Sequence, residues 1–92
     1  MSYSITYSNK FKKSLKKCQK RGLDIELLRK VLVILEETGT LPEKYRPHKL
    51  VGKYAGAWEC HISPDWLLVW EIHQSELILL LIDTGTHSDI FG

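Results

Sequence analysis

The chain has 92 residues, of which 43% are hydrophobic and 26% are charged. This length supports one hydrophobic core, and the composition excludes a disordered chain. No apolar run approaches the roughly 18 to 20 residues that span a bilayer, and the N-terminus lacks the features of a signal peptide. Cys18 and Cys60 form no CxxC motif and are expected to be buried thiols in a reducing compartment. We therefore expect one cytoplasmic domain over residues 1–92, with no membrane segment.

The net charge of +2 hides two oppositely charged parts of the chain. All 13 Lys and Arg residues lie between Lys10 and Lys53, together with five acids, whereas the remaining C-terminal part has six acids and no Lys or Arg. Seven of the bases fall between Lys10 and Arg21 with no acid among them. Such a run is either a solvated helix face or a surface that attracts phosphate-rich ligands, and charge alone does not decide between them.

The first part of the chain predicts a strand followed by two helices. Residues 2–7 alternate in polarity, as in a short strand. Ser8 can cap a first helix, whose apolar positions recur at helical spacing until Gly22. Asp24 can cap a second helix, which ends at Gly39. Because only a few residues separate the two helices, we expect them to form an antiparallel hairpin.

The second part of the chain predicts three strands. After a basic loop over residues 40–54, the apolar periodicity changes from 3.6 to 2. Residues 58–62, 66–72 and 76–83 predict an antiparallel meander, in which the last two strands are almost entirely apolar. Such strands need cover, and the helical hairpin can supply it. The predicted fold is α+β, in the order β-α-α-β-β-β, with the hairpin packed on a small, mainly antiparallel sheet.

Three of the four histidines, His48, His61 and His87, lie where the predicted chain turns or a strand ends. The meander can bring His61, Asp65 and His87 to one end of the sheet, and imidazole groups suit proton transfer near neutral pH. Taken singly, each of these histidines is more often a surface or structural residue. A metal site built from the same residues with Asp89 is the competing interpretation. Neither spacing matches a metal-binding signature, so we expect no metal and no other cofactor.

The segment from His48 to Gly92 carries a specific resemblance. "HKLVGKYAGAWECHISPDWLLVWEI" and "LILLLIDTGTHSDIFG" resemble the second half of YafQ-type toxins, a branch of the RelE/ParE superfamily, above all in "HISPDW" and "TGTHSDIF". The resemblance implies a RelE-like fold and the toxin of a type II toxin–antitoxin pair, an endoribonuclease that cuts mRNA in the ribosomal A site. It implies a cognate antitoxin, the ribosome and mRNA as partners, with operator DNA contacted only through the antitoxin.

The resemblance assigns the catalytic residues to His48, His61, Asp65 and His87. Such enzymes use the 2′-hydroxyl of the RNA as the nucleophile, so no metal is needed. We expect His61 and His87 to share the acid and base roles, in an order left open. Asp65 would set the tautomer or raise the pKa of a neighbouring imidazole. His48 would be a third group that transfers a proton or contacts the phosphate.

The resemblance also suggests residues that contact RNA. Phe91 would stack on a splayed base, as proteins usually read single-stranded RNA, whereas Trp66 either supports the site or packs in the core. The basic run is a candidate surface for ribosomal RNA. Its four central lysines are Lys12, Lys13, Lys16 and Lys17.

One departure from the family pattern concerns the phosphate. Many relatives carry an arginine just before the Gly-(Thr/Ser)-His block, where this chain has Asp83, and no arginine follows Arg46. An acid there would repel a phosphate by ~1 kcal/mol or more at a partly buried site. Either Arg46, Lys49 or Lys53 reaches the phosphate, or the protein is a slow or altered nuclease. The alternative is a RelE/ParE-fold binding protein or decayed toxin, which docks on a target or on its antitoxin without cleaving RNA.

Overall fold

The structure, a computed structural model, describes residues 2–92, and Met1 of the predicted domain lies outside them. The elements in chain order are β1 (Ser4–Tyr7), α1 (Asn9–Lys20), α2 (Ile25–Thr38), β2 (His48–Lys49), β3 (Trp58–Ser63), β4 (Trp66–His73), β5 (Ile78–Gly85) and α3 (His87–Phe91). They form one five-stranded sheet in the order β1-β5-β4-β3-β2. Only β1 pairs in parallel, with β5. The predicted α+β class and the order of the main elements are confirmed.

Two short elements are additional to the predicted ones. β2 has two residues and α3 has five. Neither is long enough to show a period in its sequence, because a period of 2 or 3.6 needs more residues to repeat. Both nevertheless carry predicted site residues, so the sequence is least informative about the backbone at the site.

Capping residues fix the ends of the two long helices. The Ser8 hydroxyl accepts a hydrogen bond from the Phe11 amide at the start of α1, and the Asp24 carboxylate accepts one from the Glu26 amide at the start of α2. These side chains satisfy amide groups that have no partner within the helix. Gly39, with φ of 74°, closes α2 in the left-handed conformation, which glycine adopts most readily. The predicted helix starts and the end of α2 are therefore confirmed.

One face of the sheet, called the helix face here, packs against α1 and α2. Its core combines the apolar stripes of both helices with alternate residues of the strands. Burial of one such aliphatic side chain contributes about 1.5–3 kcal/mol. The most buried members are Phe11, Cys18, Val31, Leu35, Cys60, Trp66, Leu68, Trp70, Leu79 and Leu81.

The opposite face, called the site face here, carries Glu59, His61, Leu67 and Val69. The sheet register pairs Glu59 with Val69 and His61 with Leu67, so these four side chains share one face. Leu67 and Val69 belong to a second, smaller core cluster, which Ile90 of α3 also joins. The short helix α3 therefore covers the apolar centre of this face and leaves a polar edge on β2 and β3.

Gly85 allows α3 to lie close to the end of β5. Its φ is 149°, and a Cβ atom there would lie 2.8 Å from Asp89 Oδ2. Thr86 and Asp89 form a reciprocal capping box at the start of α3. Arg21 Nη1 and Nη2 also donate to the Asp89 carboxylate, at 2.5 and 3.1 Å. These contacts fix α3, and with it His87, against the end of the sheet.

Within residues 2–92, no helix combines the length and apolar character needed to cross a membrane.

Candidate active site

The sheet register brings His61 and His87 to one end of the site face. His61 lies opposite Leu67 on β4, and Leu67 lies opposite Gly85 on β5, two residues before His87. Two strand spacings separate His61 from Gly85, or about 10 Å between their Cα atoms. The His87 side chain is exposed at the first position of α3. The geometry therefore permits these two histidines to flank one bound group.

His48 joins the same face from the neighbouring strand. It pairs with Glu59 across β2 and β3, and its Nε2 lies 3.2 Å from Glu59 Oε1. Its Nδ1 lies 2.9 Å from the Arg46 carbonyl oxygen. Since Glu59 and His61 are two residues apart on one strand, His48 and His61 lie side by side on the site face.

Asp65 does not hold an imidazole in this structure. It lies exposed in the turn between β3 and β4, and among residues 2–92 no hydrogen bond or ion pair joins it to a histidine. The Nδ1 atom of His61 instead lies 3.4 Å from the Pro64 carbonyl oxygen. The carboxylate beside an imidazole of the site belongs to Glu59, which the sequence analysis did not single out. The sequence did contain an indication of this role, because Glu59 lies two positions before His61 on an alternating strand and therefore on the same face.

Trp66 packs in the core, which is one of the two roles that the sequence left open, and it is too buried to contact a substrate. Its side chain is 1% exposed and lies in the core of the helix face. The indole nitrogen donates to Thr84 Oγ1 at 2.8 Å, which satisfies the polar end of the ring. Trp66 therefore supports the β4–β5 pair behind the site and offers no surface for stacking on RNA.

An aromatic row borders His87. The Phe91 ring lies one helical turn along α3, with its centroid 4.8 Å from that of His87. On its other side Phe91 meets Tyr54 edge-to-face, at 5.9 Å between centroids. Phe91 is only partly buried, so its ring keeps a free portion beside His87. A base that stacked there would have its phosphate near the imidazole.

Two lysines lie at the far end of this row. Lys10 and Lys53 each have Nζ 5.3 Å from the centre of the Tyr54 ring. Lys10 also donates to the Tyr54 hydroxyl at 2.6 Å, and this bond raises the pKa of the lysine, with a further contribution from Asp83. Lys53 was predicted to contact the phosphate, and that role stays a prediction. Lys10 and Tyr54 were not predicted, because they are 44 residues apart and only the fold joins them.

The Asp83 side chain is engaged inside the protein, which corrects the expected repulsion of a phosphate. It is 2% exposed, and its Oδ1 accepts from Ser14 Oγ at 2.5 Å and from the Thr84 amide at 2.9 Å. Its Oδ2 lies 3.4 Å from Lys10 Nζ, so a cation offsets its charge. Asp83 ties α1 to β5 and presents no free acid to a ligand.

Lys49 and Arg46 differ in where they point. Lys49 pairs with Trp58 and has its Nζ 5.8 Å from that ring, on the helix face. Neighbouring residues on a strand point to opposite faces, so Lys49 lies on the face opposite His48, and its contact with the substrate stays a prediction. Arg46 lines a cleft of about 460 Å³ together with His61 and Lys44. Arg46 and Lys44 are therefore the cations of the basic loop that share a cleft with His61.

The predicted lysines of α1 are exposed and border the site. Lys13 and Lys17 share a shallow cleft with Asp83 and Asp89, on the side of α1 nearest α3. All four lysines, Lys12, Lys13, Lys16 and Lys17, are exposed.

The structure also bears on the alternative metal site and on the two cysteines. Among residues 2–92, no three His, Cys, Asp or Glu side chains lie close enough together to hold a metal ion. Cys18 and Cys60 are both buried and free. Burial raises the pKa of both thiols, that of Cys60 to about 12 with help from the nearby Glu59 carboxylate.

Comparisons with known proteins identify the family of this chain. Residues 3–92 match the family described as the bacterial toxin of a type II toxin–antitoxin system, YafQ. The chain belongs to the YafQ family. The mRNA interferase toxin YafQ of Escherichia coli strain K12 is 35% identical over 89 residues, which make up 96% of this chain and 95% of that protein.

Solved structures agree with this assignment. YafQ in the E. coli DinJ–YafQ toxin–antitoxin complex is 32% identical and superposes with a TM-score of 0.88 over the full length of both chains. A metal-bound toxin from Helicobacter pylori is 42% identical, with a TM-score of 0.88, and the match covers 99% of this chain and 100% of that one. The predicted family and fold are therefore confirmed, whereas the roles of the individual site residues stay predictions.

Proposed function

We propose that this YafQ-family chain is an endoribonuclease that cuts mRNA on the ribosome by metal-independent acid–base chemistry. The observation that carries the proposal is the sheet register, which brings His61 and His87 to one end of the site face beside the free ring of Phe91. The E. coli relative that is 35% identical is named an mRNA interferase, which supports the same reaction class.

The proposed reaction needs two proton transfers. One imidazole takes the proton from the 2′-hydroxyl, whose oxygen then forms a bond to phosphorus. The bond from phosphorus to the 5′-oxygen breaks, and the second imidazole gives that oxygen a proton. The products are a 2′,3′-cyclic phosphate and a 5′-hydroxyl. His61 and His87 are the candidates for these two roles, and the order between them stays open.

Charge on the phosphoryl oxygens needs a cationic partner. Arg46 lies in the cleft beside His61, and Lys53 lies beyond Phe91 and Tyr54. These two side chains are the proposed phosphate contacts in place of the family's arginine. Because Asp83 is buried and paired, the acid at that position no longer favours the binding protein without cleavage.

The proposed partners are a cognate antitoxin and the ribosome. The E. coli YafQ structure contains its antitoxin DinJ, which supports the first. The exposed lysines of α1 support the second, because phosphate contacts dominate binding to RNA. Reversal of the charges of Lys12, Lys13, Lys16 and Lys17 is expected to weaken ribosome binding and to reduce its salt dependence. Unchanged binding would contradict this assignment.

A purified translation system tests the reaction. The wild-type chain is added to a defined mRNA with and without ribosomes, and the ends of any fragments are identified. We expect cuts only with ribosomes, and fragments that end in a 2′,3′-cyclic phosphate or 3′-phosphate. Cuts that leave a 5′-phosphate, or no cuts at all, would contradict the proposal.

A further inference from the structure

Glu59 is a buried carboxylate with one oxygen unpaired. It lies on β3, at the polar edge of the site face, and is 5% exposed. Its Oε1 lies 3.2 Å from His48 Nε2, whereas its Oε2 is buried without a hydrogen-bond partner among residues 2–92. Burial of a carboxylate oxygen without a partner destabilises a folded protein. The contribution of Glu59 to folding therefore does not explain why an acid occupies this position.

His48 is held between two hydrogen-bond acceptors. Its Nε2 faces the Glu59 carboxylate, and its Nδ1 faces the Arg46 carbonyl oxygen at 2.9 Å. A carbonyl oxygen only accepts, as does an ionised carboxylate, so a bond to either needs a hydrogen on the ring nitrogen. Arg46 has a φ of 51°, a left-handed conformation that is uncommon for a residue other than glycine and costs free energy. Both a strained backbone and a buried acid thus fix one imidazole ring.

A second His–Glu pair in the same chain lacks these features. His73 Nε2 lies 3.3 Å from Glu71 Oε1, but both side chains are 43% exposed, and the pair lies at the other end of β4. Among residues 2–92, no second hydrogen bond holds the His73 ring. Exposed pairs of this kind contribute little to stability. His48 is itself 47% exposed, so the burial of the Glu59 carboxylate and the second acceptor are what distinguish the pair on the site face.

We infer that Glu59 is a positioning residue of the proposed ribonuclease site, which acts through His48. Its carboxylate and the Arg46 carbonyl fix the ring so that a proton-bearing imidazole stands beside His61 on the site face. Glu59 itself does not contact the RNA. This inference rests on the proposed function. Glu59 orients the His48 ring, and His48 is the group that contacts the substrate.

A double-mutant cycle tests whether Glu59 acts through His48. We expect Glu59→Gln to slow mRNA cleavage on the ribosome by about 10- to 100-fold, as the loss of such orienting partners does. In a His48→Ala background, the same change should cost less than about twofold, because the group it orients is gone. Glu71→Gln is the matched control and should keep the wild-type rate. Full activity of Glu59→Gln, or losses that multiply in the double variant, would overturn the inference.

A second measurement does not depend on activity. In ¹H–¹⁵N spectra of the imidazole rings, wild type should show a slowly exchanging His48 Nε2 proton, which Glu59→Met loses and Glu71→Met keeps. Glu59→Met should melt at or above the wild-type temperature. Survival of that ring proton in Glu59→Met, or a much lower melting temperature, would overturn the inference. If wild type cuts no RNA, the proposed function fails, and these spectra still decide the role of Glu59.

Discussion

The two faces of the sheet differ in whether their residues stabilise the fold or form the proposed active site. The helix face packs aliphatic and aromatic side chains from both long helices against the strands. The site face has a small apolar centre under α3, while its edge carries three imidazoles, a buried acid with an unpaired oxygen and a strained Arg46. The helix face is not free of such costs, because Trp70 Nε1 is also buried without a hydrogen-bond partner among residues 2–92. On the site face, however, the buried acid and the strained Arg46 both contact the same imidazole, as expected where selection acts on function. Substitutions on the two faces should therefore change different quantities.

The largest stability effect is expected on the helix face. Leu35 is fully buried, so Leu35→Ala removes apolar contacts and leaves a cavity. The free energy of unfolding should fall by about 2–5 kcal/mol. Val33→Ala on the same helix is the control, since Val33 is 49% exposed, and it should cost less than about 0.5 kcal/mol. Urea denaturation measures both free energies of unfolding, and equal losses would contradict the role of Leu35 in the core of the helix face.

The next largest effect is a loss of activity, expected from a substitution on the site face. Phe91→Ala removes the free ring beside His87, on which a base is proposed to stack. Loss of one stacked base costs about 1–3 kcal/mol, so kcat/KM should fall by about 5- to 150-fold. Phe91→Tyr keeps an aromatic ring and should stay near the wild-type value. Equal activity of the alanine variant would remove Phe91 from the substrate site.

A smaller effect is expected on the pH dependence of stability, because Asp89 attaches α3 to α1. The hydrogen bonds from Arg21, followed by that from the Thr86 amide, hold the pKa of Asp89 well below its ordinary value. The folded state therefore favours the charged carboxylate, and this stabilisation is present above about pH 4 and is lost as the pH falls below it. The melting temperature of wild type should drop on acidification more than that of Asp89→Asn. Parallel curves for the two proteins would contradict this role.

The smallest effect is expected from chemical modification, because the Cys18 and Cys60 thiols should hardly react in the folded protein. Burial raises the pKa of Cys60 to about 12 and also raises that of Cys18, so neither is a thiolate near neutral pH. Under native conditions a thiol-specific reagent should leave both unmodified for hours, and both should react at once in denaturant. Rapid modification of either thiol in the folded protein would show that the helix face opens.

The sequence predicts the helix face better than the site face. Capping by Ser8 and Asp24 and the periodicity of α1 and α2 were sufficient to place the long helices, because these signals are local. The family resemblance indicated His48, His61 and His87. The register of β2 was not predictable from two residues, so the sequence could not show that His48 and Lys49 lie on opposite faces. The roles of Asp83, Lys10 and Tyr54 depend on contacts between distant segments, which no local pattern contains.

The central claim is that the site face carries the chemistry, and one comparison of histidine variants tests it. His87→Ala is compared with His73→Ala in ribosome-dependent mRNA cleavage, with the melting temperature of each variant as a control for folding. His73 pairs with Ile78 at the other end of β4, about 20 Å along the strand from Leu67. We expect His87→Ala to keep its fold and lose about 10²- to 10⁴-fold in rate, and His73→Ala to match wild type. Wild-type cleavage by folded His87→Ala would contradict the claim.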